Sequence, residues 1–399
     1  MKRLIEFDVL RGGFLLMMIV DHSPSSLRLL TDQPFGFFTT AECFVFISAF
    51  LAGMLFRKRT EKSGFAAARS STIRRVWRIY GAHLATLAFT FALGSLFLSE
   101  FPGIANLLDH YLINPSAAIC GSLVLLFRPP LMDILPMYIL FSLLTPVVFW
   151  AARNWGWKRV LLASLFAWLI AQTHLRETVV AAVKGLPFVQ LGPFDLFAWQ
   201  FIWVSGLFVG QHLVGNEPLL PTFPLFRPVL LLSAVAFLLL RWSSHIGIAV
   251  SLTDTWLFDK WHLGPLRVIN FAVAACVIAP FLKSINRWEA PLRPLFLIGR
   301  HMLPVFSIEI CLSAVLIGRT DSGLTVEPIT SALVICQLVT APLLAWFCES
   351  RSVARQSSRS ASQTPAAGTH LKVEPARNVR PHLSPAPATL GPATARGFF

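Results

Sequence analysis

Ionisable side chains set inside apolar stretches are the positions of this chain that could do chemistry. A charge at the middle of a bilayer costs about 2.5–3.5 kcal/mol and is retained mainly where a site or a pathway needs it. Arg11 and His22 stand eleven residues apart in one such stretch, residues 7–24. On a helix that spacing puts both on one face, ~16 Å apart along the axis. Histidine, with an ordinary pKa near ~6.5, is suited to take a proton from a hydroxyl as general base. Asp21 adjoins His22, and Glu42 falls near the outer end of the next apolar stretch. Either carboxylate could orient the imidazole, as a third group holds the base in many acyl-transfer sites. Arg75 and Arg78 are three apart and project from one helix face, and paired guanidinium forks suit a phosphate-rich ligand. Each position also has a plainer reading. His22 could be an interfacial histidine, Arg11 an anchor paired to Asp8, Glu42 an acid favoured at a helix start, and Arg75 and Arg78 a topological anchor. Only together do they outweigh those readings.

The elements that position these groups follow from composition. The chain has 399 residues, 55% hydrophobic and only 14% charged, with a mean hydropathy of +0.64. Soluble domains carry about 25% charged residues, so a soluble enzyme is excluded. The apolar stretches, such as 44–56 and 229–240, are unbroken rather than alternating, which argues for helices against a barrel. With ~20 residues needed per crossing, the reading is an all-α, polytopic integral membrane protein with about ten transmembrane helices. The candidate spans are 7–24, 37–56, 79–99, 131–151, 159–174, 195–213, 224–241, 264–282, 295–318 and 329–347. Residues 116–127 are apolar but short, which suits a re-entrant or interfacial piece.

The net charge of +14 is explained by topology before any nucleic-acid partner is invoked. With the N-terminus inside, the inner segments hold 22 Lys and Arg against 6 in the outer ones. That bias puts both termini in the cytoplasm. The opening Met-Lys-Arg resembles a signal peptide's charged start, but Asp8 and Arg11 precede the apolar run and no small-residue cleavage site follows, so the first helix is read as retained. Residues 1–347 form the membrane domain, and 348–399, rich in Ser, Pro, Ala and Thr with scattered Arg, read as a disordered basic tail. The six cysteines include no CxxC pair, and no His/Cys cluster stands at metal-ligand spacing, so no metal is expected.

Several blocks together resemble the OpgC family, within the membrane acyltransferase family 3 superfamily. They are Phe7-Asp8-Val9-Leu10-Arg11-Gly12 with the Arg-x10-His pair, Ala41-Glu42-Cys43-Phe44-Val45-Phe46-Ile47-Ser48, and Arg75-Val76-Trp77-Arg78. Further echoes are Phe197-Ala198-Trp199-Gln200, Leu263-Gly264-Pro265-Leu266-Arg267 and Gly299-Arg300-His301-Met302-Leu303-Pro304-Val305-Phe306. The resemblance implies a multi-pass protein of the bacterial inner membrane that moves succinyl groups, with succinyl-CoA as acyl-CoA donor, to osmoregulated periplasmic glucans beside other glucan-synthesis proteins. The Arg-x10-His pair and the Arg-x-x-Arg pair carry over from the family residue by residue. Together with the chemistry above they give His22 as general base, Glu42 and secondarily Asp21 as the groups orienting it, and Arg11, Arg75 and Arg78 as the cations holding the donor. Ser48-Ala49-Phe50 departs from the family's usual Ser-Gly-aromatic, and Asp21 stands where Asn or another residue is common. The residues leave open an acyltransferase for another polysaccharide or lipid-linked sugar, a non-catalytic assembly partner, and a transporter or flippase, the last disfavoured by the lack of an inverted repeat.

Overall fold

The computed structural model describes residues 4–96, 102–183, 185–186, 189–214, 226–247, 255–320 and 327–363. It divides into two units, residues 1–353 and 354–399. Among the described residues the first unit is helical, and its one β feature is an isolated bridge between Phe127 and Gln190.

The chain opens with α1 (Ile5–Asp21), capped by His22. Next comes α2 (Thr40–Leu96), broken at Gly64, whose φ of 80° lies where a side chain would be strained. This element carries residues 40–56 and 79–96 of the expected spans 37–56 and 79–99, and the basic segment between them is helical. After α3 (Pro102–Ile113) and α4 (Pro115–Leu123), α5 (Ile134–Trp155) turns at Gly156 into α6 (Trp157–Ala171). Then follow α7 (Leu175–Val183), α8 (Leu196–Val214) and α9 (Phe226–His245). The last described elements are α10 (Pro265–Ile278), α11 (Arg293–Arg300), α12 (Met302–Thr320) and α13 (Glu327–Gln363).

The structure bears out an all-helical chain with apolar spans, but the described residues do not confirm a count of ten crossings. Among the described residues four helices are long and apolar enough to span a bilayer: α2, α5, Phe226–Ser244 of α9 and Pro328–Ser358 of α13. The bent pair α11 and α12, turning by 91°, makes a fifth if it is one span. The shortfall has local causes. Helix α1 ends after 17 residues and carries Glu6, Asp8 and Arg11, α6 has 15 residues, and α10 has 14 before Pro280 shifts the backbone to a tighter turn, all short of the ~20 needed. The short apolar stretch 116–127 is largely α4, a helix of nine residues. The tail expected from residue 348 is helical as far as Gln363, with Glu349 in its first part paired to Arg300 and His301, and 364–399 lie outside the described residues.

Small residues let backbones meet. A Cβ on Gly206 or Gly210 of α8 would run into the carbonyls of Phe46 and Phe50, and one on Gly53 of α2 into Leu207. Gly12 of α1 and Gly299 of α11 stand likewise against Leu295 and Asp8. Where lipid removes the hydrophobic drive between helices, such close approach supplies the dispersion contact that holds them. Trp199, Trp203 and Leu207 fill the resulting interface, fully buried, and the Trp203 indole donates to Thr145 of α5 at 3.1 Å.

Candidate functional site

Arg11, Arg75 and Arg78 come from two helices and line one cavity of about 560 Å³, a size ordinary for a small-molecule site. Arg59 of α2 and Arg300 at the α11–α12 bend complete its cationic wall, with His301 beside them. The apolar side is built by Phe44, Leu55, Phe56, Ile79 and Phe306, with Ser48, Tyr138 and Ser142 as the polar groups toward α5. The break at Gly64 allows this. It lets the two halves of α2 present Ser48 and Arg59 from one side, and Arg75 and Arg78 from the other, to the same space.

Counter-charges are few. Arg11 pairs with Asp8 at 3.7 Å across one turn of α1. Glu349 of α13 takes Arg300 and His301 together, each at 2.7 Å. Among the described residues Arg59, Arg75 and Arg78 enter no ion pair with a carboxylate. The cavity therefore carries uncompensated positive charge beside an apolar wall, an arrangement that suits an anion with an apolar arm.

His22 is not in the lining, but Met18 is. Met18 stands seven residues beyond Arg11 and four before His22, so one face of α1 runs from Arg11 past Met18 to His22. The two carboxylates assigned by sequence to orient His22 are engaged elsewhere. Glu42, fully buried, accepts from the Thr39 backbone at 3.0 Å, the Thr39 hydroxyl at 2.6 Å and the Arg267 guanidinium. Asp21 accepts from the Thr31 hydroxyl at 2.5 Å. Neither is hydrogen-bonded to His22 among the described residues.

Glu42 instead joins two of the sequence blocks. Arg267 and Asn270 project from the first turns of α10, where Pro265 at the first helical position fixes the start. Arg267 meets Glu42, and Asn270 accepts from the Phe37 backbone at 2.6 Å. The segment entering α2 is thereby clamped to α10 through groups buried from solvent.

Lys260, in the segment between α9 and α10, lies in the electrostatic reach of Glu42, Asp21 and Asp32. Burial pushes its ammonium down from the ordinary lysine value, and Glu42 acts against that shift. Arg267, Arg300 and His301 enter the sequence reading only inside the family blocks, and Lys260 and Arg59 only as part of the charge bias, so none of the five is given a role there. For Arg267, Arg300 and His301 a signal was present, since each is an ionisable residue inside an apolar span.

A family model described as OpgC protein matches residues 3–352. No curated protein and no solved structure matches the chain.

Proposed function

The chain belongs to the OpgC family, and from that premise we propose that it is a membrane O-acyltransferase. It transfers a succinyl group from succinyl-CoA on the cytoplasmic side to hydroxyls of osmoregulated periplasmic glucans at the bacterial inner membrane. The observation that carries this reading is the convergence of Arg11, Arg59, Arg75, Arg78 and Arg300 on one cavity.

The roles follow from charge and reach. Arg75, Arg78 and Arg59 hold the donor's phosphates, and the apolar wall of Phe44, Leu55 and Phe56 accepts its arm. The ~16 Å along α1 from Arg11 to His22 is within the reach of a pantetheine arm, so the thioester meets the acceptor without the cofactor crossing. A sugar hydroxyl is too weakly acidic to attack a thioester unaided at neutral pH. His22 takes its proton as the oxygen bonds to the carbonyl carbon. The carbon–sulfur bond then breaks, and the imidazolium returns the proton to the departing thiolate. The products are a succinyl ester and free CoA. Because Glu42 and Asp21 are committed to Arg267, Thr39 and Thr31, they act in this account on the frame around His22.

Mass spectrometry of periplasmic glucans from cells with and without the gene tests the reading. Succinyl increments that vanish with the gene are the expected result. An unchanged glucan population would remove succinyl transfer to glucan.

A further inference from the structure

Away from the arginine-lined cavity, the fold assembles a second constellation. His174 and Glu177 stand at the start of α7, and His262 lies 85 residues beyond Glu177, in the turn before α10. Single ligand atoms from these three side chains lie within 4.8 Å of one another. His262 Nε2 is 2.9 Å from a Glu177 oxygen, and His174 Nδ1 is 3.7 Å from the other. A tetrahedral ion with bonds of about 2.0–2.2 Å holds its ligand atoms roughly 3.3–3.6 Å apart, so the widest separation here needs to close by at most about 1.5 Å, shared between two side chains.

Two further features point to a ligand rather than to a chance cluster. His262 Nδ1 is engaged by Asp259, whose carboxylate also accepts from the His262 and Trp261 backbone. That is the outer carboxylate which fixes a histidine's tautomer and aims its other nitrogen at a metal. His174 is held at φ 59°, a left-handed conformation uncommon outside glycine, and it brings its ring to 5.2 Å from that of His262.

We propose that His174, Glu177 and His262 bind one divalent transition-metal ion, with Zn²⁺ as the best match, and that Asp259 positions His262 from outside the coordination sphere. Two imidazoles and a carboxylate are a borderline-soft donor set that disfavours Mg²⁺ and Ca²⁺ and leaves one position for water. The ion ties α7 to the segment carrying Lys260 and Trp261. Arg176 also approaches Glu177, at 3.4 Å, and the ion competes with it for that oxygen.

The test uses the full-length protein in detergent, stripped with chelator, and Zn²⁺ alone as probe. Isothermal titration should show one equivalent bound, with a zinc-dependent rise in unfolding temperature, and Co²⁺ should give the visible spectrum of a tetrahedral site. His174→Ala and Glu177→Gln alter exposed side chains and should leave the fold intact while weakening zinc binding by more than tenfold. Asp259→Asn should weaken it by about 10–100-fold. Absence of a stoichiometric equivalent in the wild type, or equal affinity in His174→Ala and Glu177→Gln, overturns the proposal and leaves a cluster held by hydrogen bonds alone.

Discussion

The residues that matter here are cations and one imidazole, and their roles separate in mutants. His22→Ala should give a folded, inserted protein whose acylation rate falls by about 10²–10⁴-fold, and near-normal glucan succinylation in that variant would remove His22 from the chemistry. Arg75→Gln and Arg78→Gln should raise the KM for acyl-CoA more than they lower kcat, the mark of lost ground-state binding. An unchanged donor KM in both would reduce the pair to a topological anchor. Arg267 is different in kind. It is buried against Glu42, so Arg267→Met should strand a carboxylate and cost about 3–5 kcal/mol. Adding Glu42→Gln should recover part of that loss in thermal unfolding, and a double variant no more stable than the single one would contradict the stranded-charge account. Sequence spacing was enough to pair Arg75 with Arg78 on one helix face, and the structure brings that face and Arg11 of α1 to one cavity wall. It could not show that Glu42 faces Arg267, 225 residues away. A carboxylate near a histidine in sequence does not reveal which partner the fold will give it.

Among the elements, glycine contacts decide how closely the helices meet. Gly210→Val places a branched side chain against the Phe50 carbonyl, and overpacking of this kind costs typically ~1–3 kcal/mol. Gly81 of α2 has open space where its Cβ would stand, so Gly81→Ala should leave the protein unchanged or up to ~1 kcal/mol more stable. Thermal unfolding of the two variants checks the contrast, and equal behaviour would mean that the α2–α8 approach is not what the glycines serve. Helical character was legible because unbroken apolar runs leave few alternatives in lipid. Element boundaries were not. The segment 57–78, with eight Lys and Arg, falls between two candidate spans in the sequence, yet a long helix accepts basic residues without strain, and only Gly64 interrupts α2.

At the scale of the whole molecule, the proposed topology, drawn from the Lys and Arg bias, has the arginine-lined cavity open to the cytoplasm and the segments carrying His262 and Glu177 facing the periplasm. Reporter fusions after residue 65 and at residue 360 should read cytoplasmic, and those near 110 and 185 periplasmic. A periplasmic 57–78 segment would place Arg59, Arg75 and Arg78 out of reach of a cytoplasmic donor. The family was legible in short blocks spread along the chain, and those blocks prove to be joints of the fold. Leu263-Gly264-Pro265-Leu266-Arg267 clamps onto Glu42, and Gly299-Arg300-His301 forms the 91° bend at the cavity. The metal-ligand cluster was illegible because its halves lie 85 residues apart. The central claim is that this chain itself moves an acyl group from a cytoplasmic thioester to a glucan. Its most direct test is a reaction of the purified protein in detergent with succinyl-CoA and unsubstituted periplasmic glucan, following thiol release and glucan mass together. The account predicts free CoA released only when glucan is present, with matching succinyl increments on the glucan and neither signal from His22→Ala. Thiol release independent of glucan, or none from protein that binds the donor, would contradict it.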